Sequence, residues 1–125
     1  MKKVRSGAER RRYPRVDEHL RIRVAGREEQ IATETVNVSC GGTLCWLDRP
    51  LPLMTKVAVD LALPKRLIHC VGVVVRCQPT QAPWTRKGHY QTALFFTDLK
   101  RSDHRAIAEF VLESMMLRAH GHRRP

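Results

Sequence analysis

The fold class follows from the stretch TKVAVDLAL at residues 55–63, in which the larger apolar side chains occupy every second position. Val57, Val59, Leu61 and Leu63 would share one face of a strand, and the residues between them would share the other face. This alternation is typical of a β-strand with one face in a core and one face in water. The stretch HLRIRV at residues 19–24 alternates in the same way, so we expect a second strand there.

Four further stretches predict strands, two of them between these two and two after them. They are residues 31–38, 43–47, 67–75 and 89–96, with glycine or proline at most of the turns between them. Residues 67–75 are apolar at almost every position, which predicts a strand that is covered on both faces. In the last stretch, Thr92, Leu94 and Phe96 would share one side, and a loop is expected before it at residues 78–87.

The apolar spacing changes near the C-terminal end of the sequence. From Ser102 to about residue 117, apolar residues recur at helical spacing, and we expect the core face of a helix to hold Ile107, Phe110, Val111 and Met115. Ser102 is a suitable N-cap, and the region of Gly121 is expected to end the helix. Six short strands followed by one helix predict a mainly-β domain, a small antiparallel barrel or sandwich with one C-terminal α-helix.

The positive charge is concentrated at the N-terminal end. The 125 residues include 23 Lys and Arg against 12 Asp and Glu, a formal net charge of +11. Residues 1–15 alone hold seven basic residues against Glu9. Such a segment, with few apolar side chains, predicts a flexible basic arm. The simplest interpretation of the arm is a solvated tail with loose affinity for polyanions.

Several classes of protein are excluded or disfavoured by the sequence. The longest uncharged stretch, at residues 35–47, has 13 residues, whereas a membrane span needs ~20. No apolar segment follows the basic start, so we expect a cytoplasmic protein. The cysteines at positions 40, 45, 70 and 77 form no C-x-x-C pair, and we expect them to be reduced and to bind no metal. No catalytic motif is present, so the protein is not expected to be an enzyme.

Two short motifs indicate a specific binding site. The first is RRRYPR at residues 10–15, in which the proline favours extended backbone, so that Arg11 and Arg15 would project from a bent connector. The second is NVSCGG at residues 37–42, where a strand ends. Asn37 and Ser39 would face the same side of that strand, and Gly42 permits tight backbone geometry or the close approach of a ligand.

Together these motifs resemble the signature of the PilZ domain family, the bacterial receptors for cyclic di-GMP. Arg11 and Arg15 supply the family's R-x-x-x-R motif, and residues 37–42 supply its [D/N]-x-S-x-x-G motif 22 positions later. The resemblance covers about residues 9–118 and implies a six-stranded antiparallel PilZ-type β-barrel with one C-terminal helix. It implies cyclic di-GMP as the ligand, with no other cofactor. The implied ligand-binding residues are Arg10, Arg11, Arg15, Asn37, Ser39 and Gly42, of which Arg10 is the position associated with binding of a stacked ligand dimer.

The expected chain organisation follows from the motifs and the strand pattern. We expect a flexible basic arm at residues 1–9, a single PilZ-like domain at residues 10–118 and a basic tail at residues 119–125. Within the domain, the barrel would span about residues 16–97 and the helix about residues 102–118.

The chemistry of the motifs suits this ligand. An arginine guanidinium can donate two parallel hydrogen bonds to O6 and N7 of guanine, which lysine cannot reproduce, and it adds positive charge opposite a dianion. Asn37 offers an amide oxygen and an amide donor, and Ser39 a small hydroxyl donor. Asn37 stands where many relatives have Asp, so the stronger acceptance of a carboxylate is lost.

The expected mechanism is ordering of the basic arm across the barrel when the ligand binds, so that an unidentified effector protein can recognise the new surface. Two other functions remain open from the sequence. One is a basic β-barrel that binds nucleic acid, although no aromatic stacking strip supports it. The other is a PilZ-like adaptor that binds only protein.

Overall fold

The structure, a computed structural model, describes residues 13–80 and 90–121. The described ranges form seven strands and one helix. They are β1 (Arg15–Val16), β2 (Arg21–Ala25), β3 (Gln30–Ser39), β4 (Gly42–Leu47), β5 (Lys56–Leu63), β6 (Arg66–Pro79), β7 (Tyr90–Phe96) and α1 (Arg101–Gly121). The predicted arm at residues 1–9 lies outside the described residues.

Strands β2 to β7 close into a six-stranded antiparallel barrel. The sheet runs β1-β3-β2-β5-β6-β7-β4, and a further pairing of β4 with β3 closes the barrel and leaves β1 outside it. The predicted barrel with one C-terminal helix is therefore confirmed, and the alternative of a sandwich is wrong. Strand β1 lies outside the barrel and was not predicted. It pairs with the end of β3, with Arg15 opposite Ser39 and Val16 opposite Val38.

The barrel interior is filled by the alternating residues that the sequence singled out. Val57, Val59, Leu61 and Leu63 of β5 are all buried. Thr92, Leu94 and Phe96 of β7 are buried too, and so they share one side of the strand as predicted. At about 25 cal/mol per Å² of apolar area removed from water, these inward side chains are the main source of stability.

Thr35 fixes the connection between β1 and β2. It is fully buried, and its hydroxyl donates to the carbonyl of Glu18 at 2.6 Å and accepts from the amide of Leu20 at 2.9 Å. A buried hydroxyl must find such partners because leaving it unpaired costs about 1–3 kcal/mol. These bonds hold the chain that enters β2 against β3, and they place β1 beside the end of β3.

Strand β6 differs from the prediction in two ways. Leu67 and Val75, which were expected to be covered, are 52% and 49% exposed. A barrel strand turns one face inward, and on β6 that face holds Ile68, Gly72 and Val74. The strand also continues to Pro79, so the loop expected from residue 78 begins later, and the rest of it lies outside the described residues.

Helix α1 begins one residue before the predicted N-cap, so the N-cap prediction for Ser102 is wrong. Ser102 lies in the first turn, where its hydroxyl accepts a hydrogen bond from Nη2 of Arg66 at 3.2 Å. The buried positions of the helix follow one narrow stripe: Asp103, Ile107, Val111 and Ser114. Phe110 is partly buried against the core, whereas Met115 is 43% exposed, contrary to the prediction.

Both ends of α1 are tied to the barrel. Near its start, Arg66 pairs with the buried carboxylate of Asp103 at 3.1 Å. Near its end, Arg118 donates to the carbonyl of Asp17 and lies 3.6 Å from the carboxylate of Glu18. The helix is therefore fixed alongside the segment that carries β1. In the described ranges, no helix has both the length and the apolar character that crossing a bilayer requires.

Candidate functional site

A surface pocket of about 280 Å³ lies where β3 ends beside β1 and β4. The side of the pocket formed by β1, β3 and β4 is lined by the four predicted site residues that the structure describes, which are Arg15, Asn37, Ser39 and Gly42. Arg15 and Ser39 are far apart in sequence but directly opposite each other in the β1–β3 pairing. Directly opposed residues in a sheet share a face, and so do residues two apart on a strand. This is why both motifs contribute to one pocket. Arg10 and Arg11 lie outside the described residues.

Arg15 and Asn37 present side chains that are free to bind a ligand. Neither side chain makes a hydrogen bond or ion pair with the described residues. The Asn37 carbonyl accepts from the hydroxyl of Thr43 at 2.6 Å, which fixes its backbone and leaves its side-chain amide available. Arg15 is exposed. The β1–β3 side of the pocket thus offers the Arg15 guanidinium and the Asn37 amide with unused hydrogen-bonding capacity.

Ser39 has a structural task in the described chain. Its hydroxyl oxygen accepts from the amides of Gly41 at 3.1 Å and Gly42 at 3.3 Å, and so it organises the turn between β3 and β4. The hydroxyl proton faces the carbonyl of Gly42 at 3.4 Å, a long contact. A better acceptor in the pocket, such as a phosphate oxygen, could accept this hydrogen bond while the Ser39 oxygen still accepts from the amides of Gly41 and Gly42.

Gly42 is required by the barrel itself. A Cβ atom at this position would lie 2.1 Å from the carbonyl oxygen of Leu94 on β7, far inside van der Waals contact. Gly42 pairs directly with Phe95, so β4 and β7 approach each other here without a side chain between them. Of the two roles considered for Gly42 in the sequence, the structure shows the tight backbone approach.

Tyr13, which was not among the predicted site residues, extends the site towards the helix. Its ring lines the pocket, lies over Gly41, and meets the ring of His104 on α1 with centroids 5.4 Å apart. Cys40 makes a second contact with the same turn of the helix, from Sγ to the carbonyl of His104 at 3.7 Å. The signal for Tyr13 was its place inside the R-x-x-x-R motif.

The far side of the pocket was also missed. It is formed by β6 and β7 and lined by Val75, Arg76, Ala93, Leu94 and Phe95. The alternation in β7 carried a signal for Phe95, because a residue between buried Leu94 and Phe96 must face outward. For Val75 and Arg76 the sequence held no such signal, since the pairing of β6 with β7 shifts between Val74 and Arg76.

Three of the four cysteines have thiols whose pKa is raised. Burial raises the pKa of Cys45 to about 12, and it raises that of Cys70 to about 11. Burial also raises the pKa of Cys40. Thiols of this kind stay protonated and weakly nucleophilic at neutral pH. Within residues 13–80 and 90–121, no three His, Cys, Asp or Glu side chains are grouped so that they could hold a metal ion.

Comparison with known proteins identifies the fold. The family model of the PilZ domain matches residues 9–113. A search of curated proteins finds no match to the sequence.

Among solved structures, MotI/DgrA, the inhibitor of motility of Bacillus subtilis, superposes with a TM-score of 0.74 and 23% identity, over 86% of this chain and 51% of its own. The PilZ domain of YcgR from Escherichia coli with c-di-GMP superposes with a TM-score of 0.71 and 12% identity, over 92% of this chain and 99% of its own. The MrkH–c-di-GMP complex from K. pneumonia superposes with a TM-score of 0.68 and 22% identity, over 90% of this chain and 55% of its own.

The similarity of this chain to these three structures is a similarity of fold alone. The chain spans about half the length of MotI/DgrA and of MrkH, and nearly all of the YcgR domain.

Proposed function

The chain belongs to the PilZ domain family, and from this premise we propose that it is a receptor for cyclic di-GMP, bound in the pocket of Arg15, Asn37 and Ser39. The observation that carries the proposal is the direct pairing of Arg15 with Ser39, which brings two motifs 22 positions apart to one pocket. YcgR and MrkH, which share the fold, were solved with c-di-GMP.

The polar groups of the pocket suit a guanine dinucleotide. The free guanidinium of Arg15 can donate two parallel hydrogen bonds to O6 and N7 of a guanine. The free amide of Asn37 can accept from the guanine N–H groups or donate to an acceptor. The hydroxyl proton of Ser39, which makes only a long contact at 3.4 Å, can turn to a phosphate oxygen. These are the groups of a binding site, and the proposal includes no catalytic step.

The proposal includes the segment that precedes the pocket. Arg10 and Arg11 would add two further guanidinium groups to the ligand, and the basic arm would be ordered over the barrel when they bind. Ordering costs conformational entropy, which the ligand contacts must offset. The surface created in this way would be recognised by an effector protein. The four cysteines are free thiols, which suits a bacterial cytoplasmic location, and the proposal places the receptor there.

Isothermal titration calorimetry with cyclic di-GMP tests the proposal. Wild type is expected to bind, and Arg15→Gln should weaken binding by about five- to 150-fold, since two hydrogen bonds to a base edge are worth about 1–3 kcal/mol. Arg23→Gln is the matched control, because Arg23 is also an exposed strand arginine but lies on β2, outside the pocket. The proposal fails if wild type gives no heat or if Arg15→Gln binds as well as wild type.

The net charge of +11 favours a second candidate, a nucleic-acid-binding barrel. Such binding would be strongly weakened by salt, because each phosphate contact releases counterions. Titration with single-stranded RNA and DNA at two salt concentrations separates the candidates. Tight, salt-sensitive binding of RNA or DNA, with no competition from cyclic di-GMP, would show that the protein is a nucleic-acid binder and that the receptor proposal is wrong.

A further inference from the structure

The pocket continues from Asn37 across the outside of the barrel to β6. Asn37 is directly opposite Leu44, Leu44 is opposite Ala93, and Ala93 is opposite Arg76. Directly opposed residues share a face, so these four side chains form one row on the outer surface. Adjacent strands lie about 4.8 Å apart, which puts Arg76 roughly 14 Å from Asn37 along the row. Because the side chain of Ala93 is small, little side-chain volume projects from the barrel surface between Leu44 and Arg76.

Arg76 is the second guanidinium at this pocket in the described chain. It is exposed, and its side chain makes no hydrogen bond or ion pair with the described residues. The irregular pairing between Val74 and Arg76 is a β-bulge. Bulges commonly redirect side chains beside binding sites. Here the bulge leaves both Val75 and Arg76 on the outside, at the edge of the pocket.

An apolar surface lies beside Arg76. Phe95 is 53% exposed and Val75 is 49% exposed, although both belong to strands whose alternate residues fill the core. Phe95 is directly opposite Gly42, which has no side chain to cover the ring. The phenyl ring is therefore open towards the pocket. An exposed aromatic ring can serve as a stacking surface for a nucleic-acid base, as it does in proteins that bind single-stranded nucleic acid.

We propose that Arg76, Val75 and Phe95 form a second base subsite, which holds one guanine of the ligand at the end of the pocket opposite Arg15. The base would lie against Phe95 and Val75, and Arg76 would fork onto its O6 and N7 edge. The inference rests on the proposed function, because it places the second base of the same dinucleotide. It explains why an unpaired arginine and two uncovered apolar side chains stand together on the outside of the barrel.

Titration with cyclic di-GMP of Arg76→Gln, Arg76→Lys and Phe95→Ala, each made in the intact 125-residue chain, tests the subsite. Wild type, Arg15→Gln and the control Arg23→Gln are titrated beside them. Arg76→Gln should weaken binding by about ten- to a hundredfold. Arg76→Lys should weaken it nearly as much, because an ammonium group cannot form the fork. Phe95→Ala should weaken it by about fivefold or more, from lost stacking. In wild type, the amide NMR signals of Ala93 and Phe95 should shift on addition of ligand.

The outcomes separate this inference from the proposed function. If wild type binds, Arg15→Gln loses affinity and Arg76→Gln matches wild type, the second subsite is refuted and the receptor proposal stands. If Arg76→Lys keeps full affinity while Arg76→Gln loses it, Arg76 acts as a point charge on a phosphate, and the base subsite is wrong. If wild type does not bind, both proposals fall.

Discussion

Tyr13 meets His104 edge to face, with ring centroids 5.4 Å apart and ring planes at 72°. Tyr13 stands inside the R-x-x-x-R motif, two residues before Arg15, and His104 lies in the first turn of α1. The same tyrosine ring covers Gly41 in the turn after β3. One side chain therefore joins the arginine segment, the turn of the second motif and the C-terminal helix. A ligand that repositions the arginine segment would act on the helix through this contact.

We predict that the Tyr13–His104 contact is energetically coupled. In a double-mutant cycle with Tyr13→Ala and His104→Ala, the coupling free energy should be about 0.5–1.5 kcal/mol, the range of aromatic pairs. Urea unfolding followed by circular dichroism measures it. Tyr13→Phe is the control and should leave stability almost unchanged, since it keeps the ring. Additive effects of the two alanine variants would show that the rings touch without stabilising each other.

Much of the fold could be predicted because the alternation of apolar and polar residues along a barrel strand shows which of its faces is buried. In β5 and β7 the buried side chains alternate without a break, so the sequence identified both the strands and their inner faces. The same rule predicted that Asn37 and Ser39 share a face, and both line the pocket. Strand β1 could not be found in this way, since its two residues are too few to show a period.

Other features depend on contacts that no local pattern contains. The apolar run in β6 does not reveal which side faces inward, and barrel closure leaves Leu67 and Val75 outside. Met115 has the right spacing for the helix core, but α1 touches the barrel along so narrow a stripe that this side chain stays exposed. The β6–β7 side of the pocket arises from pairing between distant strands and a bulge. Such features follow from the closed barrel as a whole.

Two Arg–Asp ion pairs within the described residues should differ in their contribution to stability. Arg66 holds Asp103, whose side chain is only 8% exposed, whereas the Arg49–Asp48 pair is about half exposed on both sides. Removing Arg66 leaves a carboxylate in a poorly solvated place, and exposed pairs are worth little. Arg66→Ala should lower the free energy of unfolding by about 1–3 kcal/mol and Arg49→Ala by less than about 1 kcal/mol. Equal losses in urea unfolding would contradict this difference.

Alkaline pH should destabilise the protein through its buried thiols. Burial raises the pKa of Cys45 from 9.0 to about 12, so the folded chain keeps this proton where the unfolded chain loses it. The stabilisation is complete below pH 9.0 and is lost as pH rises towards about 12. Cys45→Ala removes this effect while leaving the other titrating groups in place.

The measurement is the difference in the free energy of unfolding between wild type and Cys45→Ala. It should be constant below pH 9.0. Above that pH, wild type should lose its advantage by up to about 1.4 kcal/mol per pH unit, the value for one proton. A difference that stays constant between pH 9 and pH 11 would show that Cys45 titrates alike in both states.

Gly42 and Gly41 stand side by side in the second motif, and we predict that only Gly42 is required by the barrel. A Cβ on Gly42 would meet the Leu94 carbonyl oxygen at 2.1 Å, whereas on Gly41 it would meet Cδ2 of the half-exposed Tyr13 ring at 3.3 Å. The ring can yield, but the β7 backbone cannot move without breaking its pairing with β4. Gly42→Ala should therefore cost about 3 kcal/mol or more, and Gly41→Ala about 1 kcal/mol or less. Urea unfolding of both variants decides the matter, and a stable Gly42→Ala variant would mean that β4 and β7 can separate at this point.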